Sequence, residues 1–503
     1  MPHVFVLASD HLGVRIVEQL RRDGCAVTVG APDGSWLASA QLPEGVARVR
    51  LDGIRPTVDG VAEIATADAL LAVTDEDEVN LGIAFEALEA NPKLRVVLRQ
   101  FNLRLGALLE ASLPNCETLS LSALAAPTFA LAALTPGVAF AHSFGADILV
   151  LREADDTTAG TVVARAGGSV LVATTARDLP PHPESPDRPG ETKRTSRRTA
   201  NRLLLWTLAY LAFAATSSAI YFALRLDMSP LDAVYFVVTI VTSVGFGDYS
   251  LRDADALSKL VGMWLMVSGV MSMAVIFAVV TNSLFDRQHA FERGQVRTRT
   301  TSHVVVCGLG VIGYRVAQTL RRLGHRVVVV ESREDGRFVA AARAEGMHVV
   351  VGDASQDEAF RFANAGSARA VVVCTNPDFV NLEVALLARS LVGRVPVVLR
   401  LFDPDLSRRV AAHFDLDATL SSAALGAARF AAAATGSTRM AVVRFREVDV
   451  ELHELEPRAG ETVRAIGARA GRTPFAIVDD RGALRFDVVD DETPAPGERV
   501  VAV

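Results

Sequence analysis

The distribution of apolar residues divides the chain into a membrane-like centre and two longer flanking regions. Residues 203–224 and 260–285 are two uninterrupted runs without a charged side chain. A helix rises about 1.5 Å per residue, so each run is longer than the roughly 30 Å hydrocarbon core of a bilayer. The pattern therefore predicts two membrane-spanning helices.

The segment between these two runs is apolar but too short to cross a membrane. Residues 233–247 carry no charged side chain, and irregular backbone at membrane depth is tolerated only where it lines a cavity. Pro230 suits the first turn of a helix. We therefore predict a re-entrant loop over residues 230–248, with a short helix followed by a coil.

The coil at the end of this loop has glycine at alternate positions. Gly245 and Gly247 tolerate backbone angles closed to other residues, which lets successive carbonyl oxygens point inward. A selective pore uses such free carbonyls in place of the hydration shell of the ion. The segment resembles the potassium-channel pore signature, commonly Thr-Val-Gly-Tyr-Gly-Asp, with serine replacing threonine and phenylalanine replacing tyrosine. By this resemblance the selectivity filter comprises Thr242, Ser243, Val244, Gly245, Phe246, Gly247 and Asp248.

The same resemblance implies the permeant ion and a moving part of the pore. K⁺ would be held by the backbone carbonyls of Ser243, Val244, Gly245 and Phe246. In the second apolar run, Gly269 interrupts a series of good helix formers, and similarity to pore-lining inner helices makes it a candidate gating hinge. Close helix packing is the alternative role for this glycine, and Gly262 is a rival hinge position.

The charge pattern predicts how the protein lies in the membrane. Basic residues precede the first run and follow the second, whereas the segment between them is mildly acidic. Cytoplasmic flanks carry an excess of Lys and Arg, so we expect a multi-pass protein of the cell membrane with both termini cytoplasmic. A net charge of −7 gives no support to nucleic-acid binding. The four cysteines lack metal-ligand spacing and are expected to be reduced.

The two flanking regions are copies of one pattern, about 300 residues apart. His-Val-Phe-Val at position 3 corresponds to His-Val-Val-Val at position 303, and Val-Val-Leu-Arg occurs at positions 96 and 397. Each copy alternates short β-branched runs with helical patterns, which is typical of a parallel sheet covered by helices. An internal repeat therefore encloses the membrane segment.

The second copy contains a dinucleotide-binding pattern. A short apolar strand is followed by Gly308, Gly310 and Gly313 and by an amphipathic helix, and the next strand ends at Glu331. Glycines let backbone amides approach a pyrophosphate at a helix N-terminus, and the carboxylate binds ribose hydroxyls. Asp353 follows a further strand, at another position where a ligand crevice would open. We predict NAD(H) as the regulatory ligand, with ATP or ADP as the alternative.

The first copy lacks this chemistry. Ala8 and Asp10 replace the first two glycines of the pattern, and Ala31 stands opposite Glu331. A carboxylate at position 10 would repel a phosphate and crowd its approach. We therefore predict that the first copy is a structural partner that binds no nucleotide.

Both copies resemble the RCK (regulator of potassium conductance) domains, also called KTN or TrkA-N domains, of bacterial potassium channels and transporters. The resemblance implies a Rossmann-like α/β lobe and a smaller C-terminal lobe in each copy, flanking an all-α two-span pore with a re-entrant loop. Some family members bind calcium through carboxylates, where this chain has Cys374, Arg400 and Phe402, so that site is expected to be absent. The expected order is a first N-lobe (1–135), a shortened C-lobe (136–179), a linker (180–199), the pore domain (200–285), a second linker (286–301), a second N-lobe (302–435) and a C-lobe (436–503).

Together these features predict a ligand-gated potassium channel and not an enzyme. One loop supplies a quarter of a fourfold filter, so the working unit should be a homotetramer with eight cytoplasmic domains. Nucleotide binding to the second copy would shift the equilibrium between the closed and the open pore. The alternatives are an NAD-binding regulatory component of a potassium transport system and a membrane-tethered NAD-dependent oxidoreductase. The first would need a separate transport subunit, and the second would need a substrate domain that the sequence does not show.

Overall fold

The structure, a computed structural model, divides into two compact units. The described residues are 1–32, 34–51, 63–64, 66–113, 115–154, 160–179, 198–292, 298–414 and 416–503. One unit joins residues 1–189 with residues 297–503, and the other comprises residues 190–296. The first predicted linker lies outside the described residues up to position 197, and so do residues 293–297 of the second.

The first copy of the repeat forms a six-stranded parallel sheet with the order β3-β2-β1-β4-β5-β6. Its central strands are continuous buried runs of Val, Leu and Ala, as expected for a sheet covered on both faces. The elements are β1 (His3–Leu7), α1 (His11–Arg22), β2 (Ala26–Ala31), α2 (Gly34–Ser39), β3 (Ala47–Arg50), β4 (Ala69–Ala72), α3 (Asp77–Ala90), β5 (Arg95–Arg99), α4 (Leu103–Ser112), β6 (Cys116–Leu119) and α5 (Leu121–Leu134).

A small antiparallel lobe follows this sheet. It has four strands in the order β7-β8-β10-β9. They are β7 (Val138–Ser143), β8 (Ile148–Ala154), β9 (Thr161–Ala166) and β10 (Ser169–Thr175).

The described part of the unit of residues 190–296 contains three helices, which are α6 (Arg198–Arg225), α7 (Pro230–Val241) and α8 (Ala256–Glu292). Ser229 caps α7 by accepting a hydrogen bond from the Asp232 amide at 3.2 Å, and Pro230 occupies the first turn. Phe222, Phe236 and Leu265 bring the three helices together in one apolar core. Residues 204–225 and 256–281 are long and apolar enough to cross a membrane.

The second copy repeats the six-stranded parallel order, β13-β12-β11-β14-β15-β16. This agreement confirms the predicted α/β fold class. The elements are β11 (His303–Cys307), α9 (Val311–Arg322), β12 (Val327–Glu331), α10 (Val339–Ala344), β13 (His348–Val351), α11 (Asp357–Phe362), β14 (Ala368–Val373), α12 (Asp378–Val392), β15 (Val397–Leu401), α13 (Pro404–His413), β16 (Ala418–Ser421) and α14 (Ser422–Thr435).

The second small lobe is larger than the first. Its five strands have the order β17-β18-β21-β19-β20. The elements are β17 (Arg439–Phe445), β18 (Val448–Leu455), α15 (Val463–Ala470), β19 (Pro474–Val478), β20 (Leu484–Arg485) and β21 (Arg499–Ala502).

The two copies exchange their last N-lobe helices. Phe129 on α5 lies in the same core as Val304 and Val372, which belong to the second sheet. Phe430 on α14 lies in a core with strand residues of the first sheet. Each sheet is therefore covered on one face by a helix from the other copy, which explains why the two copies form one compact unit. The sequence pattern predicted the helices but not this exchange.

Candidate functional site

The coil after α7 has an alternating backbone. Ser243, Gly245 and Gly247 have φ values of 61°, 50° and 82°, whereas the residues between them have negative φ. Alternation of left- and right-handed backbone turns successive carbonyl groups to the same side of the chain, which extended or helical backbone does not do. The sequence pattern pointed to the two glycines but not to the left-handed conformation of Ser243.

Hydrogen bonds fix this coil through its amides. The amides of Val244 and Gly245 donate to the Thr239 carbonyl at 3.0 and 3.2 Å, and the Ser243 amide donates to Ile240 at 3.0 Å. In the described part of the chain, no hydrogen bond is accepted by the carbonyl oxygens of residues 243–247. The coil is thus held from behind while a row of acceptors stays available for a cation.

A pair of tyrosines and a pair of aspartates surround the far end of the coil. Tyr235 lies near the Asp248 carboxylate, and Tyr249 lies near the Asp232 carboxylate. The two rings lie 6.3 Å apart. Phe246, which replaces the tyrosine of the common signature, is 71% exposed in the single chain. Tyr235 on the short helix α7 therefore lies near Asp248, a proximity that the sequence analysis missed.

The candidate hinge glycine lies in a close helix contact. Helix α8 continues through Gly269 to residue 292. A Cβ atom at position 269 would lie 2.9 Å from Val241 Cα and 3.0 Å from its carbonyl oxygen, at the end of α7. This geometry supports the packing role that was the alternative for Gly269. Its role as a hinge stays a prediction.

The glycine-rich loop of the second copy joins β11 to α9. Gly308 has φ 90°, and a Cβ atom there would lie 2.9 Å from the Thr375 amide nitrogen. A Cβ atom on Gly313 would overlap the Gly308 carbonyl. At Gly310, which caps α9, a Cβ atom would meet no atom within 4 Å. Two glycines thus allow tight packing, and the third leaves open space at the helix N-terminus.

The two predicted carboxylates lie at the ends of neighbouring strands. Glu331 ends β12, and its Oε2 accepts a hydrogen bond from the Leu309 amide at 2.7 Å. Asp353 follows β13, and its Oδ1 accepts from the Ser355 amide at 2.8 Å. The structure therefore brings Glu331 to the glycine loop, whereas Asp353 stabilises the next turn along the same sheet edge.

A buried arginine that the sequence analysis did not assign lies beside this loop. Arg400 in β15 is 5% exposed, and its guanidinium donates to the Thr375 carbonyl and the Ser422 hydroxyl, both at 3.3 Å. The guanidinium also stacks on Phe402 at 4.0 Å. Burial lowers the pKa of Arg400 to about 10 and raises the pKa of the nearby Cys374 thiol to about 12. The duplicated Val-Val-Leu-Arg segment was the signal that could have identified it.

The corresponding loop of the first copy is occupied by its own side chain. Asp10 caps α1 by accepting from the Leu12 amide at 3.0 Å. Its other oxygen accepts a hydrogen bond from Arg99 at 2.6 Å. A Cβ atom on Gly13 would overlap the Ala8 side chain. That the first copy binds no nucleotide stays a prediction.

The first copy also contacts the glycine-loop region of the second. Phe101, which follows β5, lies 5.1 Å from the Phe338 ring. Arg315 on α9 stacks on Phe101 at 4.9 Å and donates to its carbonyl at 3.2 Å. Arg337 approaches the same ring at 5.4 Å. A residue of the first copy thus packs against the helix that follows the glycine-rich loop of the second.

Two family models match the chain. The TrkA-N domain model matches residues 4–111 and again 304–422, and the ion-channel model matches residues 207–286. One TrkA-N match therefore lies on each side of the ion-channel match. This finding confirms the resemblance drawn from the sequence, and with the two apolar helices it indicates a membrane protein.

Individual relatives give the same picture for parts of the chain. The putative potassium channel protein YugO of Bacillus subtilis is 26% identical over 148 residues, which cover 29% of this chain and 43% of YugO. Potassium channel protein 1 of Methanocaldococcus jannaschii is 24% identical over 178 residues, which cover 34% of this chain and 53% of that protein. The chain therefore spans about half the length of these relatives.

A solved structure resembles the chain in fold. The GsuK channel has a TM-score of 0.51 and 14% sequence identity, and the match covers 100% of this chain and 76% of that one. At this identity the similarity concerns the fold alone.

Proposed function

We propose that this protein is a potassium channel gated by a nucleotide that binds the second TrkA-N domain. The observation that carries the proposal is the alternating backbone at Ser243, Gly245 and Gly247, together with the carbonyls of residues 243–247, which accept no hydrogen bond in the described part of the chain. Such a row of oxygens can replace the hydration shell of K⁺. The predicted ion sites are the carbonyls of Ser243, Val244, Gly245 and Phe246. The two potassium-channel relatives named above support the same ion.

The regulatory half of the proposal rests on the glycine-rich loop of the second copy. The loop leaves open space at Gly310 in front of a helix N-terminus, where backbone amides favour an anion. Glu331 lies at the same loop, and its carboxylate is the proposed acceptor for ribose hydroxyls. The GsuK channel has been solved bound to NAD. We therefore propose NAD(H) as the regulatory ligand, with ATP or ADP as the alternative.

The proposed assembly is a homotetramer in the cell membrane. One coil can supply only one side of a filter, and in the single chain Val244 and Phe246 are 54% and 71% exposed. Fourfold closure would cover these side chains and bring four rows of carbonyls around one axis. Four chains would bring eight TrkA-N domains, in four pairs that exchange helices. Both termini would be cytoplasmic.

Gating requires that the nucleotide bind the open and the closed state with different affinity. Helix α8 ends at Glu292 and β11 begins at His303, so only a short segment connects the pore helix to the second domain. A change in the second domain would act on the pore through this segment.

The test is ion flux through the purified protein in liposomes. K⁺ is compared with Na⁺, and NAD⁺, NADH, ATP and ADP are added in turn to the cytoplasmic face. The expected result is K⁺-selective flux that one of these nucleotides changes. Flux of the protein alone excludes a purely regulatory component. Unselective flux would contradict the filter, and selective flux indifferent to all four nucleotides would contradict the regulatory half.

Two variants make the test specific. Gly245→Ala adds a side chain that meets no atom within 4 Å in the single chain, but it strains a backbone with φ of 50°. It should reduce K⁺ flux without unfolding the protein. Glu331→Gln should leave the basal flux intact and weaken the response to nucleotide.

A further inference from the structure

We propose that Arg400 binds a phosphate of the nucleotide in the second copy and that Asp10 occupies the equivalent phosphate position in the first. The inference rests on the proposed nucleotide site and names the side chain that makes this site selective for phosphorylated ligands. It follows from comparing the two copies of the repeat within one chain.

The first copy shows what an anion at this position does. The Asp10 carboxylate lies at the N-terminus of α1, where it accepts from the Leu12 amide at 3.0 Å. Arg99 from β5 reaches the same carboxylate at 2.6 Å and also donates to the Val73 carbonyl at 3.2 Å. One anion is thus held between a helix N-terminus and an arginine, which are the two kinds of group that recognise phosphate in proteins.

The second copy has the same elements but lacks the anion. Arg400 has the position in β15 that Arg99 has in β5, because Leu399 pairs with Val373 as Leu98 pairs with Ala72. The residue equivalent to Asp10 is Gly310, around which a Cβ atom would find open space. The helix cap and the arginine are therefore present, and the carboxylate that joins them in the first copy is missing.

Arg400 is placed against the glycine-rich loop. Its guanidinium donates to the Thr375 carbonyl at 3.3 Å and lies 3.5 Å from the Asn376 side-chain oxygen. The Thr375 amide nitrogen is the atom that a Cβ on Gly308 would approach at 2.9 Å. The arginine thus contacts the strand end that packs directly on the first glycine of the loop.

The charge of Arg400 has no ion-pair partner among the described residues. No carboxylate there lies within 4.0 Å of its guanidinium, although the residue is only 5% exposed. Asp378 accepts hydrogen bonds from the Phe402 amide, and Asp10 is already paired with Arg99. A buried cation without an adjacent anion is unfavourable, so a phosphate at this point would remove an existing cost of the empty site.

Two consequences follow for ligand choice. The second copy should prefer nucleotides over nucleosides, because only a phosphate can take the place that Asp10 fills in the first copy. Each chain should bind one nucleotide, because Asp10 and Arg99 satisfy each other in the first copy.

The first experiment compares ADP with adenosine, using isothermal titration calorimetry on the purified full-length protein. Arg400→Gln should weaken ADP binding by about 10- to 100-fold, the range expected for a charge-assisted contact, and should leave adenosine binding nearly unchanged. Arg400→Lys keeps the positive charge and should lose less. The control removes the equivalent pair of the first copy, Asp10→Asn with Arg99→Gln, because the charges of both residues act on Arg400 and cancel only as a pair; this double variant should not change ADP affinity.

The second experiment transfers the aspartate from the first copy to the second. Gly310 has φ −73°, so Gly310→Asp fits the backbone. The variant should abolish ADP binding. Without any ligand it should raise the Tm, because the introduced carboxylate would pair with Arg400, and this increase should disappear when Arg400 is replaced by Gln.

Several results would overturn the proposal. Retained ADP affinity in Gly310→Asp would do so, as would equal losses for ADP and adenosine in Arg400→Gln. A Tm that does not depend on the pairing of positions 310 and 400 would show that the arginine does not face this helix terminus. Absence of ADP binding by the wild-type protein would contradict the proposed nucleotide regulation instead, while the Tm comparison still tests the placement of Arg400.

Discussion

Replacement of Phe129 by Ala should destabilise the second copy of the repeat, although Phe129 belongs to the first copy in sequence. Phe129 lies on α5 at the end of the first N-lobe, yet its ring is fully buried in the core of the second sheet. Phe430 on α14 is equally buried in the core of the first sheet. Each phenylalanine is the internal control for the other, because the two positions are equivalent in the repeat.

The size of the effect follows from the cavity left by each ring. Truncation of a fully buried phenylalanine to alanine costs about 3–5 kcal/mol. Amides that exchange with solvent by opening of the affected core should then exchange about 100- to 5,000-fold faster, since about 1.4 kcal/mol is a factor of ten.

Hydrogen exchange with mass spectrometry on the intact protein measures this directly. In Phe129→Ala, peptides that cover β11 and β14 should lose protection, because Val304 and Val372 share a core with the missing ring. In Phe430→Ala, peptides that cover β1 and β4 should lose protection. The useful quantity is the ratio of exchange rates between the two variants at the same peptide, because unfolding of the whole unit affects both variants alike.

The opposite ratio would refute the reasoning. If Phe129→Ala loosened β1 and β4 more than Phe430→Ala does, each helix would cover its own sheet. A ratio of one in all four strands would show that the two cores do not open separately. Neither exchanged helix would then stabilise one sheet more than the other.

Three further predictions concern the candidate sites and one partly buried histidine, His142. Glu331→Gln should weaken NAD⁺ and ADP binding by about tenfold, because an amide is a poorer acceptor for ribose hydroxyls, as calorimetry would show. Tyr235→Phe removes the hydroxyl that lies near the Asp248 carboxylate and should lower the ratio of K⁺ to Na⁺ flux in liposomes. His142 packs between Phe140 and Phe144, and its burial lowers its pKa to about 4. In the unfolded protein His142 therefore binds a proton at higher pH than in the folded protein. The free energy of unfolding should decrease as the pH falls from about 6.5 toward 4, by at most about 1.4 kcal/mol per pH unit.

Each of these predictions has a control. Binding of ligands that lack a ribose should not respond to Glu331→Gln, and equal NAD⁺ affinity in the variant would remove this residue from the site. An unchanged flux ratio in Tyr235→Phe would show that the hydroxyl does not support the filter. For His142, the Tm difference between pH 7 and pH 5 should shrink in His142→Phe, and an equal difference in both proteins would contradict the assignment.

The sequence by itself determined the features that depend on local chemistry. Two uncharged apolar runs predict spanning helices, because length and hydrophobicity alone decide whether a segment can cross a bilayer. Glycines at 245 and 247 predicted a special backbone, because few other residues adopt positive φ at low cost. The repeated strand and helix patterns predicted two parallel sheets, which the identical strand orders confirm.

The tertiary structure alone decided which surfaces meet. An apolar helix face specifies that it must be covered but not by which partner, so the exchange of α5 and α14 between the copies could not be read from periodicity. The proximity of Tyr235 to Asp248 depends in the same way on how the coil returns to α7. The sequence analysis named Arg400 only as a residue that replaces a calcium-binding carboxylate, and its burial beside the glycine-rich loop became evident when the strands were assembled. Contacts between residues distant in sequence are set by packing, and packing is the property that a linear pattern does not contain.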